Sequence, residues 1–274
     1  MHRKYLLILL PIFGMGLQCF SQGNLLVTPT RVVFEGNKQK EKVYLVNTGK
    51  DTTTYSVSFL QYRQTEDGGY TIIEKPDSGQ LFAEPYLRIY PRTVSLAPGE
   101  TQSVMIYSGQ KTDKLSGEYR SHLYFRSEKD YTALGTKSKD TLKTIRVQLI
   151  PIYGISIPVL IRSGEVNVRT SLSDLKLDKS DDSMYSLKLA INRTGNISVN
   201  GDLTVDYVPV KGKTHEIGKI KSVAVYTDNN KRLVSIKLNN MPGIDLTRGI
   251  LIVRYISADD AKKQEIYSEA ELKL

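Results

Sequence analysis

From Asn24 onward apolar and polar residues alternate with a period of two, in segments of about six to ten residues separated by clusters of Gly, Asn, Asp, Lys and Pro. Successive side chains of a strand face opposite ways, so this spacing marks half-buried β-strands. Helical periodicity is nearly absent. The pattern predicts strands at 26–35, 42–47, 54–63, 86–89, 102–107 and 119–126, followed by a long run over 144–161. Phe34, Val43, Leu45, Val57, Phe59, Val104, Ile106, Leu123 and Phe125 fall on the apolar sides of their segments and are the expected core. About seven short strands with regular turn signals predict an immunoglobulin-like sandwich in preference to a closed barrel.

The apolar run stops around Arg162-Ser-Gly-Glu165, and alternation resumes at 185–191, 203–208, 222–226, 233–238 and 250–256. A second, smaller β-sandwich is expected there, with turns at Asn192-Arg-Thr-Gly-Asn196, Asn200-Gly201 and Asp228-Asn-Asn230. The expected fold is all-β: two immunoglobulin-like β-sandwich domains in tandem, over 22–162 and 163–274. The short linker between them implies a fairly fixed angle.

Residues 1–21 stand outside this pattern. His2-Arg-Lys4 is basic and 5–17 is apolar but short for a membrane span, which needs roughly 20 such residues. This reads as a secretory signal peptide cleaved after Ser21, which places the mature chain in the periplasm with no membrane span. Leu17-Gln18-Cys19 offers the alternative of a lipoprotein tethered through Cys19, although Gln18 stands where a small residue is wanted. Cleavage after Ser21 removes Arg3, Lys4 and the one Cys, so the formal charge falls from +9 to +7. Disulfides and thiolate chemistry then leave with Cys19.

Candidate chemistry is sparse. His122 alternates with Leu123 and Phe125 and is expected on the sheet surface, and His215 lies in a polar stretch read as a loop. No nucleophile elbow, phosphate loop, zinc-protease motif or calcium loop occurs, so neither an enzyme nor a metal or other cofactor is expected. The lysines are dispersed, with no basic and aromatic stripe of a nucleic-acid reader, so the positive charge is read as a solvated surface and no nucleic acid is expected.

Three segments of the first domain carry a resemblance: Val27-Thr-Pro-Thr-Arg-Val-Val-Phe-Glu-Gly36, then Tyr90-Pro91 with Val94-Ser-Leu-Ala-Pro-Gly-Glu100, then Gly117-Glu-Tyr-Arg-Ser-His-Leu-Tyr-Phe125. In order and spacing along 24–163 they resemble the periplasmic chaperones of the chaperone and usher pilus pathway. The second domain matches only in architecture. The resemblance implies a chaperone that stabilises pilus or fimbrial subunits by donor-strand complementation and delivers them to an outer-membrane usher. The alternative is a structural or adhesive surface protein of tandem sandwiches without a client.

The same resemblance implies the site. Within 144–161, Ile145, Val147 and Leu149 are the residues lent to the subunit, while Ile155 and Ile157 enter the chain's own core. Pro151, with no N–H to donate, marks the boundary, and the polar stretch 127–140 is the loop before the lent strand. Arg31 matches the family's first cation that anchors the subunit's terminal carboxylate. Ser156 stands where the family has the second, a lysine, so another cation such as Arg120 or Arg162 must complete the site or anchoring is weaker. An exposed apolar edge of this kind needs protection, and self-association is one means.

Overall fold

The computed structural model describes residues 24–36, 38–109, 115–128, 152–179, 184–239, 244–258 and 264–274. Its first half carries β1 (Leu25–Thr28), β2 (Val32–Glu35), β3 (Lys40–Asn47), β4 (Thr53–Leu60), β5 (Tyr62–Gln64), β6 (Tyr70–Ile72), β7 (Leu87–Tyr90), β8 (Thr93–Leu96), β9 (Thr101–Ser108), β10 (Gly117–Glu128) and β11 (Gly154–Ser163). Two sheets face each other, in the orders β1-β3-β9-β7 and β2-β11-β10-β4-β8, and β5 and β6 form a separate hairpin. Eight of the nine residues expected in the core are buried between these sheets; Phe59 packs at the margin, half-buried. Ile157 is buried there and Ile155 packs against it. Each such aliphatic or aromatic side chain contributes about 1.5–3 kcal/mol.

The single strand expected over 26–35 is two strands. β1 pairs antiparallel with β3, and β2 crosses to the other sheet and pairs parallel with β11. Pro29 has no N–H for a ladder, so the strand stops there and the chain changes sheets. The strand expected over 54–63 likewise ends at Leu60 and resumes as β5, which turns away to the short hairpin with β6.

The second half carries β12 (Val168–Lys179), β13 (Tyr185–Gly195), β14 (Val199–Val208), β15 (His215–Val225), β16 (Lys231–Lys237), β17 (Ile250–Ser257) and β18 (Ile266–Lys273). They form sheets β12-β13-β16 and β15-β14-β17-β18 around a core that includes Leu187, Leu203, Val205, Leu251, Val253 and Tyr255. The molecule is thus all-β, two immunoglobulin-like sandwiches in tandem. β12 and β18 carry too few buried positions to show in the hydrophobic pattern, and β12 is an edge strand with a bulge between Ser173 and Lys176. His215, expected in a loop, is the exposed first residue of β15. The turn expected at Asn192 falls later: residues up to Gly195 belong to β13, Asn200 and Gly201 belong to β14, and the reversal lies between them.

Candidate functional site in the cleft between the sandwiches

The ends of β2, β10 and β11 meet two reversals of the second sandwich, the β13–β14 turn and the loop after β15. Gly117, at φ +83°, starts β10 against the first of these, and the Glu118 N–H donates to the Asn196 carbonyl at 3.2 Å. Left-handed backbone at that position needs glycine. It sets Glu118, Arg120 and His122 along the side of β10 that faces the second domain, while Leu123 and Phe125 fill the core.

One part of the junction is a lock. Arg120 Nη2 donates to Asp228 Oδ1 at 3.0 Å and to the Tyr62 carbonyl at 3.3 Å, and its guanidinium lies 3.7 Å from the centroid of the Tyr226 ring. The Arg120 and Asp228 side chains are 2% and 4% exposed. Asp228 Oδ2 accepts from the Gln64 N–H at 3.0 Å, the Gln64 side chain spans Ala224 O and the Tyr226 N–H, and Asn229 Nδ2 donates back to Gln64 O at 2.7 Å. The hairpin joins in, with Leu233 N–H donating to Glu66 O at 2.7 Å. His122 is not on a free surface. It is buried here, edge-on to Tyr62 at 4.8 Å and 3.5 Å from the Tyr226 hydroxyl. Alternation placed it correctly on the face away from the core, but the second domain covers that face. Burial, with the Arg120 and Arg31 charges behind it, pushes the imidazole down to about 3.

The other part is an open cleft of about 520 Å³, walled by Arg31, Glu35 and Arg162 on one side and by Val168, Ile197, Val199 and Tyr267 of the second sandwich on the other. Arg31 immediately precedes β2. Burial pushes its guanidinium down, the Glu118 carboxylate pulls it back up, and Arg162 beside it pushes down again. Arg162 Nε donates to Glu118 Oε2 at 2.9 Å, Nη1 to Glu35 Oε1 at 3.1 Å and Nη2 to the Ser198 carbonyl at 2.8 Å. Glu118 is buried and Glu35 is exposed. Two guanidinium groups therefore face one cavity, and for Arg31 no ion pair is found among the described residues. Arg162 already meets two carboxylates and a carbonyl, so Arg31 is the fork of N–H donors suited to an anion with two oxygens.

Ser156, aligned with the family's second cation, is half-buried opposite Tyr124 on β11 and does not line this cleft. Of the two cations named in its stead, Arg162 lies in the cleft, paired with Glu118 and Glu35, and Arg120 is taken by Asp228. Ile145, Val147, Leu149 and Pro151 lie outside the described residues, as does 129–140 of the preceding loop. What is described is where that segment arrives: β2 pairs only with Val159 to Arg162, so Gly154 to Pro158 have β10 on one side and no ladder partner among the described strands on the other. Glu118, Ser198, Gln64 and Asp228 were not foreseen, because each meets partners 36 to 167 residues away in the chain.

No protein-family model and no curated protein matches the chain. Solved structures similar to it include the YadV chaperone, with 12% identity over 92% of this chain and 100% of that one, at a TM-score of 0.46. The Escherichia coli chaperone DraB shares 14% identity over 91% of this chain and 96% of that one, at 0.45. A chaperone and tip adhesion subunit pre-assembly complex, CsuC with CsuE, from the archaic Csu pili of Acinetobacter baumannii shares 11% over 91% and 98%, also at 0.45. At these identities and scores the likeness adds no weight to any role of individual residues.

Proposed function

We propose that this chain is a periplasmic chaperone of pilus subunits, which it holds by lending them a strand and passes to an outer-membrane usher. The observation that carries the reading is a cleft with two guanidinium groups lying at the end of a strand whose other end has, among the described strands, no ladder partner on one side. A sandwich that lacks its last strand exposes an apolar groove and a row of unpaired backbone groups, both of which promote aggregation. An added strand supplies main-chain hydrogen bonds and fills the groove with alternate side chains. Ile145, Val147 and Leu149 are the side chains lent. Arg31 anchors the subunit's terminal carboxylate; Arg162 is already paired with Glu118 and Glu35, so anchoring is weaker than with two free cations. The anchor sets the register in which the lent residues meet the groove. No nucleotide is needed, because a neighbouring subunit's own strand replaces the lent one by fitting better.

Replacing Val147 and Leu149 by Asn removes two apolar side chains from that groove, about 3 kcal/mol or more together, which is at least about a hundredfold in affinity. Co-expression with a candidate pilus subunit, followed by affinity purification, is expected to recover that subunit stoichiometrically with the natural chain and none with the double variant. Circular dichroism of the two chaperones should agree. Equal recovery with both would remove the strand-lending assignment. Recovery of no incomplete sandwich with either would favour a surface protein without a client.

A further inference from the structure

Arg31 sits just before an edge strand, and a long guanidinium there scatters over many rotamers unless something holds it. The second sandwich holds it. Arg31 Nη2 donates to Ser198 Oγ at 3.2 Å, and Ser198 is 1% exposed. The polarity of that bond is determined: Ser198 Oγ donates its single hydrogen to Glu118 Oε2 at 2.7 Å, so toward Arg31 it acts as acceptor. Glu118 is itself immobilised, since Oε2 also takes the Ser198 N–H at 3.0 Å and Arg162 Nε at 2.9 Å. A relay thus runs from Arg162 through Glu118 to Ser198 and Arg31. Of the five N–H groups of Arg31 one is taken by Ser198, and among the described residues no other side-chain partner is found for it.

The geometry points to Ser198 as a positioning residue that orients Arg31 for a carboxylate ligand, so that recognition of the ligand's terminus exists only when the two sandwiches are docked. The inference rests on the reading of Arg31 as the carboxylate anchor and adds that the second domain prepares it. The partner class is a protein terminus with a free carboxylate. A terminal amide, which carries no negative charge and puts an NH2 donor where the carboxylate has its second oxygen, is discriminated against.

The test uses the full mature chain and an acetylated hexapeptide of alternating valine and threonine, as free acid and as C-terminal amide, with affinities from titration calorimetry. The natural chain is expected to prefer the acid by about tenfold or more. Ser198→Ala is expected to lower that preference about three- to tenfold through lost ordering of Arg31, with Ser198→Thr restoring it. The Nε resonance of Arg31 should be sharp in the natural chain and broadened in Ser198→Ala, a signature that a purely structural serine would not move. Should the alanine variant fail to fold, Ser198→Cys makes the same comparison. Unchanged preference in Ser198→Ala alongside lost preference in Arg31→Ala would overturn the positioning role and leave the anchor standing. Full preference in Arg31→Ala would remove the anchor and the inference together.

Discussion

Asp228→Ala is expected to destabilise the protein by about 3–5 kcal/mol and to split its unfolding into two steps. The substitution leaves the Arg120 guanidinium buried beside Tyr226 without its counter-charge, and it strips the Gln64 N–H of its acceptor in the same stroke. A buried charge that loses its partner retains the full desolvation penalty of leaving water, whereas removal of both charges removes the penalty as well. The double variant Arg120→Met with Asp228→Leu is therefore expected to recover most of the loss. The two cores draw on separate residues, and the Arg120 lock is one of the links that make them unfold as one. Urea denaturation followed by far-ultraviolet circular dichroism suits a chain with no Trp. A loss under about 1 kcal/mol in the single variant would show that the pair contributes little to docking.

The second large effect is a pH dependence set by His122. In the folded protein its imidazole titrates at about 3, chiefly because it is buried, and next because of the Arg120 and Arg31 charges. In the unfolded chain it returns to its ordinary value of 6.5. Between these two values the unfolded state binds a proton that the folded state does not, so stability rises with pH across the window and is flat above it. On going from pH 6.5 down to pH 5 the natural chain is expected to lose about 1.6 kcal/mol. His122→Phe keeps an aromatic ring against Tyr62 and Tyr226 and is expected to abolish that slope. Denaturation midpoints of the two chains at several pH values between 5 and 7.5 provide the comparison. A flat profile for the natural chain would mean that water or a carboxylate reaches the ring after all.

Residues such as Leu123 and Phe125 against His122 illustrate what could be read in advance. Alternation assigns each of them to one of the two faces of β10, and the structure agrees for all three residues. It could not reveal that the outer face of β10 is covered, because the covering groups, Tyr226 and Asp228, belong to another sandwich more than a hundred residues on. Pro29 shows a different failure. Its missing N–H was visible, yet whether the chain would bend within one sheet or move to the other depended on β11 offering a parallel partner. β12 and β18 were invisible for a third reason: edge strands bury few side chains and so leave a weak hydrophobic trace.

Arg31 was legible as a candidate from the residues around it, and so was the absence of a lysine at Ser156. That Arg162 shares its cleft, and that Ser198 and Glu118 orient both, was not. The sequence by itself determined the all-β class, the two sandwiches and most of the inward-facing residues, because strand period and side-chain polarity act locally and repeat along the chain. Tertiary structure alone decided the cleft and the lock, because a buried ion pair or a shared carboxylate is made by groups that become neighbours only after both sandwiches have formed and docked.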